Sequence, residues 1–152
     1  IDTMRKVIKD VEKSRHNISK NTPEREIVSN ERYISNAICV NACQISDHVN
    51  AKAIITATYS GYNTIKTSSY RPKAYIYAFT NNHTILNTLS LVWGVKAFYY
   101  EGGKTTDDTV LETKNILKKY KFLKKGEKVI NIASMPAEEM GMTNMLKLSK
   151  VK

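Results

Sequence analysis

Apolar residues follow two spacings along this chain. Met4, Val7, Ile8 and Val11 recur at helical intervals, and so do Ile34, Ile38, Ala42, Ile45 and Val49. Short apolar runs at 53–57, 74–79, 95–100, 129–133 and 145–151 predict strands instead. A short helix follows the first run and ends before Tyr70-Arg71-Pro72-Lys73, where the proline forbids continuation. Asn81 and Asn82 can cap the next helix, which carries Ile85, Leu86, Leu89 and Val92 and is closed by Trp93-Gly94-Val95. Thr106 reads as the cap of a further helix running to about Tyr120, with Asp107 and Asp108 in its positive first turn. Gly126 then turns the chain into the fourth strand, and a loop over 134–143 precedes a final apolar strand.

Strands alternating with helices imply right-handed crossovers and a mostly parallel sheet covered on both faces. A ligand crevice is expected beyond the carboxyl ends of such strands, where Thr58 and Ser134 both sit. Residues 17–32 are polar, contain Pro23 and read as a linker between the first helix, 1–16, and a domain over 33–152.

The turn Thr58-Tyr59-Ser60-Gly61-Tyr62-Asn63 joins the first strand to a helix. Hydroxyls, a glycine and free N–H groups at a helix start suit a phosphate, because the first helical N–H groups lack internal partners and the dipole favours an anion. Capping of the helix uses the same groups, so the turn has a structural reading as well.

Composition narrows the field. At 152 residues the chain suits one domain with a proper core. Hydrophobic content of 41% and charged content of 25% are those of a soluble globular protein. No apolar run approaches the roughly 20 residues that span a bilayer, and the start carries no signal-peptide region. With no initiator methionine, the chain reads as a piece of a longer, cytoplasmic polypeptide. Cys39 and Cys43, four apart on a helix, read as reduced, buried thiols, since a disulfide at that spacing would strain the helix. His16, His48 and His83 show no metal-ligand spacing, and Trp93 is expected in the core. The net charge of +10 raises nucleic acid, but the basic residues are spread along the chain and read mainly as a solvated face.

The arrangement resembles the C-terminal domain of pyruvate kinase. Carrying the resemblance are Asn50-Ala51-Lys52-Ala53-Ile54-Ile55, Ser60-Gly61, Tyr70-Arg71-Pro72, Leu91-Val92-Trp93-Gly94-Val95, Lys124-Lys125-Gly126-Glu127-Lys128-Val129 and Gly141-Met142-Thr143-Asn144, in that order. With the alternation of elements, it implies an α/β fold: a three-layer α/β/α sandwich with a mostly parallel five-stranded sheet whose last strand is antiparallel. Residues 1–16 would be the end of a helix leading from a preceding barrel domain.

The complete enzyme of that family transfers a phosphoryl group from phosphoenolpyruvate to ADP, with magnesium and potassium, in domains whose motifs do not occur here. The resemblance implies no catalytic residue, metal or cofactor in this domain. It implies instead a subunit interface in a homotetramer and a site for a phosphorylated allosteric effector, a sugar phosphate or a nucleotide. Thr58, Ser60, Gly61 and Asn63 match the turn that grips a phosphate, with an Asn63 amide where the family has a hydroxyl. Thr105 and Glu112 fall where regulated eukaryotic-type members carry a Trp and an Arg for a second phosphate, so a bisphosphate clamp is disfavoured. Glu138 and Glu139 would accept sugar hydroxyls, and Lys104 reaches toward a phosphate from a glycine-containing loop.

Other readings remain at this point. A purely structural interface domain needs no effector. A nucleic-acid module would draw on the charge and the nine tyrosines. A stand-alone phosphate-chemistry enzyme would need carboxylates near Thr58, for which Glu138, Glu139 and Asp107 are the candidates.

Overall fold

In the computed structural model, residues 1–14, 32–136 and 142–152 are described. Helix α1 spans Asp2–Ser14 and places Met4, Val7 and Ile8 in exposed positions. The linker expected over 17–32, apart from Arg32, and His16 lie outside the described residues.

The remaining elements run α2 (Tyr33–Val49), β1 (Ala53–Ala57), α3 (Tyr62–Ser69), β2 (Tyr75–Thr80), α4 (His83–Leu89), β3 (Val95–Tyr99), α5 (Thr106–Lys119), β4 (Lys128–Ala133) and β5 (Met145–Lys150). They build one five-stranded sheet in the order β3-β2-β1-β4-β5. The first four strands are parallel and β5 runs antiparallel to β4, as the sequence implies. Because β4 returns to the far side of β1, the winding direction reverses between those two strands.

Alternation along the strands divides the core. Ile54, Ile130 and Ile132 face α2, where the small residues Cys39, Ala42 and Cys43 let the helix lie close. Ala53, Ile55, Tyr77, Phe79 and Val129 face the other way, against Leu117 of α5 and Leu123. Cys39 Sγ approaches Asn63 O at 3.5 Å and Cys43 Sγ approaches Thr67 O at 3.7 Å, seating α2 on α3. Both cysteines are buried free thiols.

Four expectations need correction. Thr105, not Thr106, caps α5: its extended backbone lets Oγ1 accept from Asp108 N at 3.1 Å while it donates to Asp108 Oδ2 at 2.8 Å. Trp93 is 39% exposed, and the Arg71 guanidinium lies 4.4 Å from its ring centre. Helix α4 ends at Leu89, so Val92 falls in a following turn held by Val92 N donating to Leu89 O. The last strand is not apolar in its setting: Lys147, Leu148 and Lys150 are exposed, and β5 stops before the buried Val151.

One buried polar residue sits in β4. Asn131 donates from Nδ2 to Lys147 O at 3.3 Å and to Ser149 Oγ at 3.4 Å, while its Oδ1 has no donor among the described residues.

Burial raises the Cys39 thiol from 9.0 to about 11 and raises Cys43 as well, where neighbouring Cys39 and Asp47 add to the effect. A raised folded-state value means that this contribution to stability is complete below pH 9.0 and is lost as pH climbs through about 11. The unfolding free energy of the wild type, from urea titrations, should therefore fall more steeply above pH 9 than that of the Cys39→Ala/Cys43→Ala variant, by up to about 1.4 kcal/mol per pH unit per thiol. Parallel pH profiles for the two proteins would contradict it.

Candidate functional site

The parallel ladder continues one residue past β1, where Thr58 N donates to Phe79 O at 3.0 Å. The chain then bends through Gly61, whose φ of +78° is a conformation that glycine alone enters cheaply. A Cβ there would lie 3.1 Å from Ile85 Cγ2, so α4 packs directly onto the bend. Gly61 N donates to Thr58 Oγ1 at 2.9 Å, and Tyr62 N donates to Ser60 Oγ at 3.4 Å. The Thr58 hydroxyl thus accepts from the turn and keeps its own hydrogen for another acceptor.

Thr58 lines a cleft of about 240 Å³ beyond the carboxyl ends of all four parallel strands. Tyr59 and Ala57 join it from β1, Phe79, Thr80 and Asn81 from β2, and Ala133 with Ser134 from β4. From β3 come Tyr100, Glu101, Gly102 and Gly103, and the first turn of α5 adds Thr106 and Thr109. The cleft includes the reversal point between β1 and β4, where open α/β sheets bind ligands.

Its walls are tied together by hydroxyls. Thr106 Oγ1 donates to Ser134 O at 3.4 Å, joining α5 to the end of β4. Thr109 Oγ1 accepts from Gly103 N and donates to Thr105 O, both at 3.1 Å. Gly103 has no room for a side chain, since a Cβ would meet Thr109 N at 2.8 Å. Thr80 Oγ1 accepts from Asn82 N at 3.2 Å and, like Thr58, retains its hydrogen.

Electrostatically the cleft is neutral to acidic. The amino end of α5 offers partial positive charge, which Asp107 and Asp108 largely offset. A hydrogen bond from Lys147 and its charge hold the Asp107 carboxyl below the usual range. Glu101 accepts from Tyr99 Oη at 3.2 Å. Desolvation, together with donation to Glu112 Oε2 at 2.6 Å, pushes the Tyr100 phenol up to about 12. Among the described residues, no Lys, Arg or His lines the cleft.

Of the residues singled out from sequence, Thr58 and Ser134 line this space. Ser60 is exposed on the outer turn and Gly61 is buried beneath α4. Asn63 turns inward, donating from Nδ2 to Ala57 O at 3.1 Å and Thr143 Oγ1 at 3.0 Å. Lys104 is exposed on the loop before α5, outside the lining, and Glu138 and Glu139 lie outside the described residues. Tyr59, Thr80, Tyr100, Thr106 and Thr109 join Thr58 without having been anticipated. Their signal was positional: parallel strands all end on one edge, so hydroxyls just past β2 and β3 belong with those past β1 and β4.

Within Gly141-Met142-Thr143-Asn144, Thr143 and Asn144 gain a physical role. Asn144 exchanges two 2.7 Å hydrogen bonds with the Met135 backbone, and Thr143 N donates to Ser35 Oγ at 3.0 Å. Among the described residues, no three His, Cys, Asp or Glu side chains gather to hold a metal ion, so no chemistry is assigned to one. No helix among them is long and apolar enough to cross a membrane.

Residues 36–149 match the family described as "Pyruvate kinase, alpha/beta domain". The chain belongs to that family. It is 35% identical over 115 residues to a pyruvate kinase of Lactobacillus delbrueckii subsp. bulgaricus, covering 76% of this chain and 20% of that protein. Against a pyruvate kinase of Clostridium acetobutylicum it is 30% identical over 152 residues, all of this chain and 32% of the relative. The chain thus spans about a fifth to a third of the length of these relatives. A crystal structure of a Cryptosporidium parvum pyruvate kinase superimposes with a TM-score of 0.70 at 24% identity, covering 78% of this chain and 23% of that one, a likeness of fold.

The inward Asn63 amide makes a stability prediction. Asn63→Ala removes both donors from buried acceptors and should destabilise the domain by about 1–3 kcal/mol in urea unfolding. An unchanged midpoint would show that the amide holds nothing.

Proposed function

We propose that this chain is the regulatory and assembly domain of a pyruvate kinase, and that its cleft takes a small molecule bearing one phosphate. Phosphoryl transfer from phosphoenolpyruvate to ADP, with its magnesium and potassium, then belongs to other parts of the enzyme. The observation that carries the binding reading is Thr58, fixed at the end of β1 with its hydroxyl hydrogen uncommitted, beside the N-terminal turn of α5. Thr80 presents a second such hydroxyl from β2.

The same lining argues against a bisphosphate. Glu101 lines the cleft, and among the described residues no cation lines it with Glu101. A carboxylate about 4 Å from a second phosphate costs several kcal/mol at intermediate dielectric. As an acceptor, Glu101 suits sugar hydroxyls instead. A ligand that prefers one arrangement of these loops would shift the population of subunit orientations and so act on a distant active site.

Assembly would use the β5 edge, since sheet order leaves it unpaired on its outer side among the described residues. Lys147 and Lys150 are exposed along this edge and oppose pairing with a second copy. Sedimentation of the isolated chain should show a monomer at micromolar concentration with at most weak dimerisation. A tight trimer or other fixed odd assembly would contradict it.

Binding is checked by calorimetry with ribose 5-phosphate, glucose 6-phosphate and nucleoside monophosphates. At least one should bind, fructose 1,6-bisphosphate should bind no better, and Thr58→Ala should weaken binding roughly 10- to 100-fold. No binding at millimolar ligand would leave the assembly role alone.

A further inference from the structure

A different face of α5 meets β5 across a second groove, of about 200 Å³. Lys114 and Lys118 reach it from the helix, Lys147 from the strand and Lys152 from the residues beyond. Asp107 is the single carboxylate there. It is already taken, because Lys147 Nζ pairs with its Oδ1 at 2.6 Å. Lys118 Nζ donates to Lys152 O at 2.6 Å. Lys114 is half-buried and has no hydrogen-bond or ion-pair partner among the described residues.

With Lys147 held by Asp107 and Lys118 by Lys152 O, the ammonium groups of Lys114 and Lys152 leave this groove positive. The Lys114 ammonium shows the effect: desolvation, then the charges of Lys147 and Lys152, lower its pKa. Proteins do not gather cations around a concavity for stability, since like charges at such spacing repel. An anion placed between them converts the repulsion into attraction. Lysines supply point charges on flexible stems, which suits a ligand with several charges and no fixed planar fork. Val110, Leu111, Asn115 and Val151 complete the lining, and the valines and leucine add apolar surface beside the lysines.

We propose that the groove between α5 and β5 binds a compact anion carrying two or more phosphate groups. This site is separate from the Thr58 cleft and does not rest on the reading of that cleft. The recognised chemistry is the phosphate chain, whether free or carried by a nucleoside.

Calorimetry on the whole 152-residue chain at low ionic strength tests it with inorganic tripolyphosphate and a nucleoside triphosphate. Tripolyphosphate should bind with a one-to-one stoichiometry, and Lys114→Gln/Lys118→Gln should weaken it tenfold or more. The control pair Lys124→Gln/Lys125→Gln, equal in charge removed and outside the groove, should change it less than twofold, and Thr58→Ala should leave it unchanged. Equal affinity for the nucleoside triphosphate assigns recognition to the phosphate chain, and tighter binding adds a contact to the base. The Lys114→Gln/Lys118→Gln variant should unfold at no lower urea concentration than wild type, because repulsion is relieved, so lost binding cannot be lost fold. Equal weakening by both lysine pairs, loss of binding in Thr58→Ala, or preferential binding of a single-stranded oligonucleotide would each overturn the proposal.

Discussion

The placement of β1 between β2 and β4 is the constraint from which the rest follows. Ile54, Ile55 and Thr56 are buried from both faces, so the strand must be hydrogen-bonded on both edges and covered by helices above and below. Parallel pairing on both sides forces every connection to cross over, and the return to β4 forces α5 onto the opposite face from α2. The loop leaving β1 runs into α3 on the α2 face, whereas α5 lies on the other face. A cleft opens between them as a geometric result of the winding, before any side chain is chosen to fill it.

Chemistry is laid over that geometry unevenly. The chain carries a net charge of +10, yet none of that positive charge among the described residues lines the cleft at the strand ends. Hydroxyls and peptide groups line it, fixed by bonds to one another. Lysines on flexible stems line the groove between α5 and β5 instead. Net charge therefore says little about either concavity, while its distribution separates the two.

How much could be read from sequence depended on which force fixed each element. The apolar runs that became β1, β2 and β4 were plain, because burial on both faces demands uninterrupted hydrophobicity. Cys39 and Cys43 were legible for the same reason. The last strand reads as apolar from its methionine and leucines, yet half of β5 faces solvent, because an edge strand is covered less completely than a central one. Trp93 was misplaced since an arginine, Arg71, offers the ring a partner outside the core. The cap fell one residue early, at Thr105, where two adjacent threonines carry the same local signal and only backbone geometry chooses between them. Asn63 illustrates the wider limit: a side chain within a recognisable turn can face the ligand or the interior, and here Thr143, eighty residues away, draws it inward.

The Asn131 amide in β4 bears on how β5 finds its alignment. A strand with two lysines and modest apolar surface has little hydrophobic preference for one offset over another, and sliding by two residues would keep the same side chains inward. The amide reaches across to Lys147 O and Ser149 Oγ, and a slide by two residues would keep a backbone acceptor but lose the Ser149 hydroxyl. It acts as an index pin, trading a little cohesion, felt at an Oδ1 with no donor among the described residues, for one favoured offset of the neighbouring strand.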